Sequence, residues 1–477
     1  MSTDSILAIA TAPGVSGVGI IRVSGPLALA AVDPYFKAVD GRALHLQPAR
    51  FFAFGKLVDG EGRLLDEALA VRFEGPRSFT GEDVVELHAH GGSFHLQRLV
   101  ALLLQGGREL PGTLRLARPG EFTERAFLAG KIDLTRAEAV ADLIHAASDL
   151  SREAAARQLA GRLQESVEAL RQGVLGLLAA AEAACDFPDD AEQLAPAAEQ
   201  LGQVDALLDG MQRLLDTART GRLVTQGVRV ALLGAPNAGK SSLFNALLAE
   251  ERAIVSAEPG TTRDYIEARL VVQGFPVVLL DTAGLREGAG TVEAEGVRRS
   301  RALAGSADLR LLLLDTSMPF DAAALQVLEA GEGDLLFVLS KSDQPAAWDV
   351  TALRAALQAR WPQWAEPARL HRRLISVSAR EGTGLSALLT RVLDLALEGR
   401  AAQMLEQVLL TQARHERAMR VAQASLQQVR EGLQAGHSSD LLAVDLRSAL
   451  DALGEIVGAT ARAEVLNEIF SRFCIGK

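Results

Sequence analysis

The stretch "GAPNAGKS", Gly234–Ser241, lies between the apolar run "VRVALL" and the helical pattern "SLFNALLAE". Its spacing is G-x-x-x-x-G-K-[ST], in the strand–turn–helix setting that phosphate binding requires. Glycines there let backbone N–H groups turn inward around an anion. Lys240 supplies a point charge for the β and γ oxygens of a nucleotide, and the Ser241 hydroxyl is a ligand for Mg2+. The start of the helix adds a field that favours negative charge. Asn237, Ala238, Gly239, Lys240, Ser241 and Ser242 are therefore the first expected nucleotide contacts.

Three further short motifs follow in order. "VVLLDTAG" ends a strand pattern at Asp281, where a carboxylate can hold Mg2+ through water; Thr282 and Ala283 lead to Gly284, whose N–H can meet a γ-phosphate. Between this motif and the first lies "SAEPGTTRD", with Ser256, Ala257, Glu258, Pro259 and Gly260 leading to Thr261 and Thr262, either of which can complete the metal's coordination. "SKSD", Ser340, Lys341, Ser342 and Asp343, follows the buried run "LLFVL"; its aspartate can accept from the N1–H and 2-amino group of guanine, a pair of donors that adenine lacks. "SAR", Ser378, Ala379 and Arg380, follows the next strand pattern and offers a backbone N–H to the guanine oxygen. Each motif alone reads as a strand-end turn, but the ordered set points to GTP. The residue after Gly284 is Leu285, where many GTPases carry a glutamine that orients the attacking water. Some other group must do that work if the chain hydrolyses nucleotide.

These motifs need a frame. From residue 228 to about 396, apolar strands ("VRVALLG", "ARLVV", "VVLLD", "LRLLLLD", "DLLFVLS", "LISVS") alternate with helical patterns, which predicts a largely parallel sheet covered on both faces. Residues 1–118 read differently. "AIATAPGVSGVGIIRVSG", "ARFFAFGKLVDGEGRLLDEALAVRF" and "GEDVVELHAHGG" predict short strands with hairpin turns, and "FHLQRLVALLLQGG" predicts a helix, an α+β pattern. From about Glu121 to Arg219, and again from 401 onward, Ala, Leu, Glu and Arg recur at helical spacing. The fold class expected is multidomain: an N-terminal α+β domain (1–119), an all-α domain in two segments (120–222 and 397–477), and an inserted α/β P-loop GTPase domain (223–396).

Bulk composition narrows the setting. The 477 residues are 48% apolar and 23% charged, the profile of a globular chain of several domains. Two cysteines far apart, Cys185 and Cys474, give no disulfide framework and suit a reducing compartment. "MSTDSILAIATAPG" lacks the basic start and apolar core of a signal, and no run of apolar residues is long enough to span a bilayer, so a cytoplasmic protein without membrane attachment is expected. The net charge of −11 excludes a broad cationic surface; contact with RNA would have to use a local basic patch or a partner's help.

The chain resembles the bacterial tRNA modification GTPases of the MnmE (TrmE) family. The likeness is carried by "GVGIIRVSG", "SFTGEDVVELHAHGG", "RPGEFTERAFLAGKIDL", the GTPase motifs and the final "FCIGK". It implies a homodimer that joins the FAD-dependent flavoprotein MnmG (GidA) in a heterotetramer. Together they would install an aminomethyl or carboxymethylaminomethyl group at C5 of the wobble uridine of certain tRNAs, with a one-carbon unit from 5,10-methylenetetrahydrofolate. It implies a K+ ion beside the phosphates in place of the missing glutamine, held by Asn237 and by Ser256, Glu258 and Thr261. Mg2+ falls to Ser241 and Thr262, and the water-orienting role to Glu293 in "TVEAEG". Arg22, Glu86, Lys131 and Lys477 are the matched positions for the folate, for which 5-formyltetrahydrofolate is a stable probe.

Without the resemblance, Arg22 and Glu86 read as surface charges on strands, and Glu293 as an exposed acid in a helix's first turn. Cys474 reads either as a nucleophile or as a small apolar plug. His88 and His90 share one side of a strand and read as structural. Two positions depart from the family pattern. Ser340 replaces an asparagine and, being shorter, is expected to brace the P-loop less well; Gln412 in "TQARHERA" also stands where asparagine is expected. The competing reading is an Era- or Der-like GTPase switch on ribosomal RNA, which would call for a basic RNA module after the GTPase segment; the C-terminal 80 residues supply no such loop in a βα setting.

Overall fold

The computed structural model describes residues 4–187, 196–250, 266–281, 305, 307–330, 334–397 and 407–477. The chain divides into two compact units: one holds 1–141, 158–208 and 421–477, the other 142–157 and 209–420. Each is built on one sheet. Among the described residues no helix is long and apolar enough to cross a membrane.

In the first unit seven strands run β1 Asp4–Ile9, β2 Ser16–Ser24, β3 Phe36–Ala38, β4 Ala53–Val58, β5 Leu64–Phe73, β6 Val84–Gly91 and β7 Thr113–Leu116. Their order across the sheet is β3-β4-β5-β6-β2-β1-β7. Every pairing is antiparallel except that of β7 with β1. The hairpins and the helix Ser93–Gly107 fall where the sequence patterns place them; β3 and β7, too short to show alternation, do not. Alternate residues of the strands (Ile21 and Val23, Val85 and Leu87, Ala68 and Ala70) join Leu96, Leu99 and Leu103 of that helix in one core. A second part of this unit is helical. Helix Arg162–Asp186 buries Val167, Val174, Leu178 and Ala181, and packs with helix Ser439–Val457, so segments on both sides of the other unit meet here.

Charge as well as apolar contact fastens helix Glu121–Leu128 to this sheet. Arg125, 7% exposed in its side chain, donates to Asp4 Oδ1 of β1 at 2.8 Å, to Glu121 at 3.2 Å and to Glu82 at 3.1 Å. Arg115 of β7 reaches Asp4 Oδ2 at 2.7 Å and grips Glu121 at 2.5 Å. Burial alone would raise the Glu121 carboxyl, but the hydrogen bonds from Arg115 and the Arg118 N–H, with Arg125 behind them, hold it at about 2.

The second unit carries β8 Val228–Gly234, β9 Ile266–Val272, β10 Phe275–Asp281, β11 Leu309–Asp315, β12 Asp334–Ser340 and β13 Leu374–Ser376, in the order β13-β12-β11-β8-β10-β9. All pairs are parallel except β9 with β10. The continuous apolar runs of β8, β11 and β12 follow from burial on both faces. Val230, Leu232, Leu311, Leu313, Leu336 and Val338 pack with Leu243 and Leu247 of helix Lys240–Glu250 and with Leu388 and Val392 of helix Leu385–Leu397. The alternating set, Leu233, Leu312, Leu314, Phe337 and Leu339, packs with Leu353 and Leu357 of helix Val350–Arg360 on the other side. The multidomain α+β, all-α and α/β composition expected from the sequence is therefore present. One strand is shorter than its pattern: Val377 and Ser378 leave β13 after Ser376, and the Ser378 N–H turns to Thr383 O.

The ion cluster yields a stability prediction. Glu121→Gln leaves Arg115 and Arg125 short of a buried partner and should cost about 3–5 kcal/mol at neutral pH. A depressed carboxyl stabilises above its unfolded value and loses that contribution as pH falls through its folded value. The gap between parent and variant should therefore close between pH 4.5 and about 2. Calorimetric unfolding across that range checks it; a gap that does not depend on pH refutes it.

Candidate functional site

The P-loop leaves β8 at Gly234, whose φ of +145° and close approach to β11 require glycine, since a Cβ there would lie 2.7 Å from Leu313 O. Asn237 takes a left-handed conformation (φ +63°) that asparagine tolerates better than most residues, and it is exposed. Gly239 follows at φ +96° and helix Lys240–Glu250 begins. Lys240 Nζ donates to Gly234 O and Ala235 O, both at 2.8 Å, which places its charge within the curve of the loop. Ser241 and Ser242 are exposed at the helix start. A hydroxyl and a carboxamide oxygen, both hard donors beside a phosphate loop, suit Mg2+ at Ser241 and K+ at Asn237.

Ser340, expected to brace the P-loop less well than an asparagine would, does reach it. Its hydroxyl, 5% exposed, donates to Ala238 O at 2.7 Å, so the shorter side chain does brace the P-loop. The bond reaches from the end of β12 past β11, which stands between β12 and β8 in the sheet. Thr316 secures the same turn from β11 by donating its hydroxyl to Ser340 O at 2.9 Å. Lys341, at φ +60°, is held by Asp315 Oδ2 at 2.7 Å. Neither Asp315 nor Thr316 was assigned from sequence, although "LRLLLLD" ends on an aspartate just as "VVLLD" does.

Asp343 and the "SAR" turn come together. Ser378 Oγ donates to Asp343 Oδ1 at 2.7 Å and accepts from the Glu381 N–H at 3.1 Å, while the Ser342 N–H donates to Val377 O. The Ser378 hydrogen bond, aided by Asp343's own backbone N–H, holds the Asp343 carboxyl below the usual carboxylate range. It is an acceptor-only group at neutral pH, which the N1–H and 2-amino donors of guanine need. Ala379 and Arg380 complete the turn, with Arg380 exposed. Ser256, Ala257, Glu258, Pro259, Gly260, Thr261, Thr262, Thr282, Ala283, Gly284 and Glu293 lie outside the described residues, as does the side chain of Asp281.

The first unit gathers the other predicted set. Arg22 and Glu86 stand directly opposite each other on β2 and β6. Arg22 Nε donates to Glu86 Oε1 at 2.8 Å, with side chains only 19% and 15% exposed. They are thus a half-buried pair rather than surface charges. Phe122 and Phe79 flank the guanidinium, their ring centroids 5.6 and 6.0 Å from its carbon. The C-terminal residues enter here: Arg22 Nη1 donates to Gly476 O at 3.3 Å, and the Phe122 N–H donates to Lys477 O at 3.2 Å. Gly476 (φ +97°) admits no side chain, because a Cβ would meet Ile9 O at 2.4 Å. Lys131 Nζ donates to Pro76 O at 2.6 Å, on the loop that also carries Phe79. A carboxylate, a guanidinium, two rings and two lysines are the donor set a pterin with a glutamyl tail would use. Cys474 is exposed, so it is not an apolar plug. His88 pairs with Glu86 and stands edge-on to Phe52, while His90 and His95 share Asp66. Gln412 donates to Asp142.

Comparison with known proteins accounts for both halves. The family described as "GTP-binding protein TrmE N-terminus" matches residues 5–131, and "MnmE helical domain" matches residues 134–474. The chain belongs to the MnmE family of tRNA modification GTPases. MnmE proteins from Moorella thermoacetica and Syntrophotalea carbinolica are 41% and 42% identical over 100% of both chains. That of Aquifex aeolicus is 40% identical over 99% of this chain and 100% of its own. Each bears the name tRNA modification GTPase MnmE. The MnmE match spans the P-loop, the guanine turn and the Arg22–Glu86 pair alike.

The Ser340 brace is open to test. Ser340→Ala leaves the buried Ala238 carbonyl without its donor, a loss of about 1–3 kcal/mol. It should weaken GDP and GTP binding several-fold in titration calorimetry; affinities equal to the parent's would show that the hydroxyl braces nothing.

Proposed function

We propose that this chain is a K+-dependent GTP hydrolase that modifies C5 of the wobble uridine in certain tRNAs. It would act in the cytoplasm as a homodimer, with the FAD-dependent partner MnmG, and use a folate-derived one-carbon unit. The observation that carries the reading is the Asp343–Ser378 hydrogen bond beside a P-loop braced by Ser340, within a chain matched to MnmE along its whole length. The division into 1–119, 120–222 with 397–477, and 223–396 is part of the proposal.

The roles follow from the chemistry of each group. Asp343 accepts from the guanine edge, and the Ser378–Arg380 turn presents a backbone N–H to the guanine oxygen. Lys240 and the loop N–H groups neutralise the phosphates, with Ser241 and Thr262 as Mg2+ ligands. Asn237, with Ser256, Glu258 and Thr261, would hold K+. A cation there offsets charge on the transferring phosphoryl group, as an arginine finger does, for roughly 10³–10⁵ in rate. Glu293 orients the water that Leu285 cannot. In the other unit, Glu86 accepts from an amino-pyrimidine edge, and Arg22, Lys131 and Lys477 meet the carboxylates of the tail.

Two measurements bear on this. GTP hydrolysis should rise steeply when K+ replaces Na+, and Asn237→Ala should lose that rise while still binding nucleotide; equal rates in the two ions defeat the potassium assignment. Arg22→Ala or deletion of Lys477 should weaken 5-formyltetrahydrofolate binding at least tenfold in calorimetry, about 1.4 kcal/mol. Unchanged affinity in both would leave the folate site without support.

A further inference from the structure

All three tryptophans of the chain and five of its arginines fall between residues 348 and 373. They lie on or directly beside helix Val350–Arg360 and the short helices Pro362–Ala365 and Pro367–Arg372, which lead into the edge strand β13. Arg354, Arg360, His371 and Arg372 are exposed. Several guanidiniums are stacked: Arg360 over Trp361 at 5.1 Å, and Arg369 and Arg373 over Trp364 at 4.3 and 5.4 Å from the ring centroids. Stacking restrains a long side chain yet leaves its N–H edge available.

The two carboxylates in the stretch, Asp349 and Glu366, are turned to backbone N–H groups at helix starts: Asp349 accepts from Thr351 and Ala352, and Glu366 from Ala368 and Arg369. Arg373 is paired with Asp334 at 2.8 Å. Among the described residues no carboxylate forms an ion pair with Arg354, Arg369 or Arg372. A chain of net charge −11 thus presents a compact cationic face. We propose that this face binds the phosphate backbone of the tRNA, using Arg354 and Arg372, with Arg369 held on Trp364 beside them. The inference rests on the tRNA reading above and adds the place of contact. Exposed guanidiniums set among aromatic rings, with the nearby acids engaged by backbone, fit a polyanion better than an apolar partner.

The experiment uses the full chain and a tRNA transcript, with binding followed by fluorescence anisotropy across a KCl series. The triple variant Arg354→Gln, Arg369→Gln, Arg372→Gln should bind at least tenfold more weakly. Its slope of log affinity against log salt should be shallower by about 2–3, as three lost phosphate contacts require. GTP hydrolysis without RNA should be unchanged. A control, Arg63→Gln, Arg420→Gln, Arg472→Gln, removes the same charge elsewhere and should leave affinity and slope close to the parent's. Parent-like tRNA binding by the triple variant overturns the proposal and leaves the tRNA reading standing. Competition by polyglutamate as effective as that by tRNA overturns it in favour of an acidic protein. Unaltered wobble nucleosides by mass spectrometry in cells lacking the chain would overturn the tRNA reading itself, and the commitment to tRNA with it.

Discussion

Arg125 is the residue on which the first unit's site depends. It is nearly buried, and from helix Glu121–Leu128 it holds Asp4 at the start of β1, Glu82 in the loop before β6, and Glu121 on its own helix. A buried guanidinium is tolerated only where carboxylates surround it in good geometry. Once satisfied, it fixes those segments relative to one another. Glu82 also accepts from Ser24 at the end of β2, so the strand bearing Arg22 is tied into the same network. Phe122, beside Arg22, lies one residue from Glu121, and its ring position follows from that anchorage. The motifs "SFTGED" and "RPGEFTER" belong together because one supplies the carboxylate and the other the cation.

The second unit solves a similar problem with neutral groups. Its loops leave the carboxyl ends of parallel strands, and small hydroxyls tie one strand end to the next: Thr316 to Ser340, Ser340 to Ala238, Ser378 to Asp343. Such bonds are individually modest. Together they link the ends of β11, β12 and β13 to the P-loop, so a shift in the guanine turn is felt there through Ser340. Lys341, held by Asp315, sits between the two.

Much of this was legible beforehand. The apolar runs of β8, β11 and β12 and the P-loop spacing predict strands and loop directly, because a strand buried on both faces and a turn around phosphate each demand a restricted set of residues. The helical pattern near Val174–Ala184 likewise predicts the buried stripe of helix Arg162–Asp186. What was not legible depends on distance in the chain. Nothing near Ser340 announces that Ala238 O lies within reach, so comparing side-chain lengths does not reveal the bond. Arg22 and Glu86 looked like surface charges because strand alternation does not reveal what covers a strand's outer side. Here the cover includes Phe79, Phe122 and residues from the far end of the sequence. Strands β3 and β7 were missed because three or four residues cannot display a period.

The docking of Gly476 and Lys477 against β1, β2 and Phe122 has a consequence for biosynthesis. Arg22 of β2 and the Phe122 N–H find hydrogen-bond partners in residues 476 and 477, which are translated long after them. Phe470 and Phe473, which pack with Leu134 and Ala137, come equally late. The P-loop unit, contained in 142–157 and 209–420, has its whole sequence available sooner. The first unit's sheet can pair its own strands early, but the contacts that residues 470–477 make with it form only once those residues have been made.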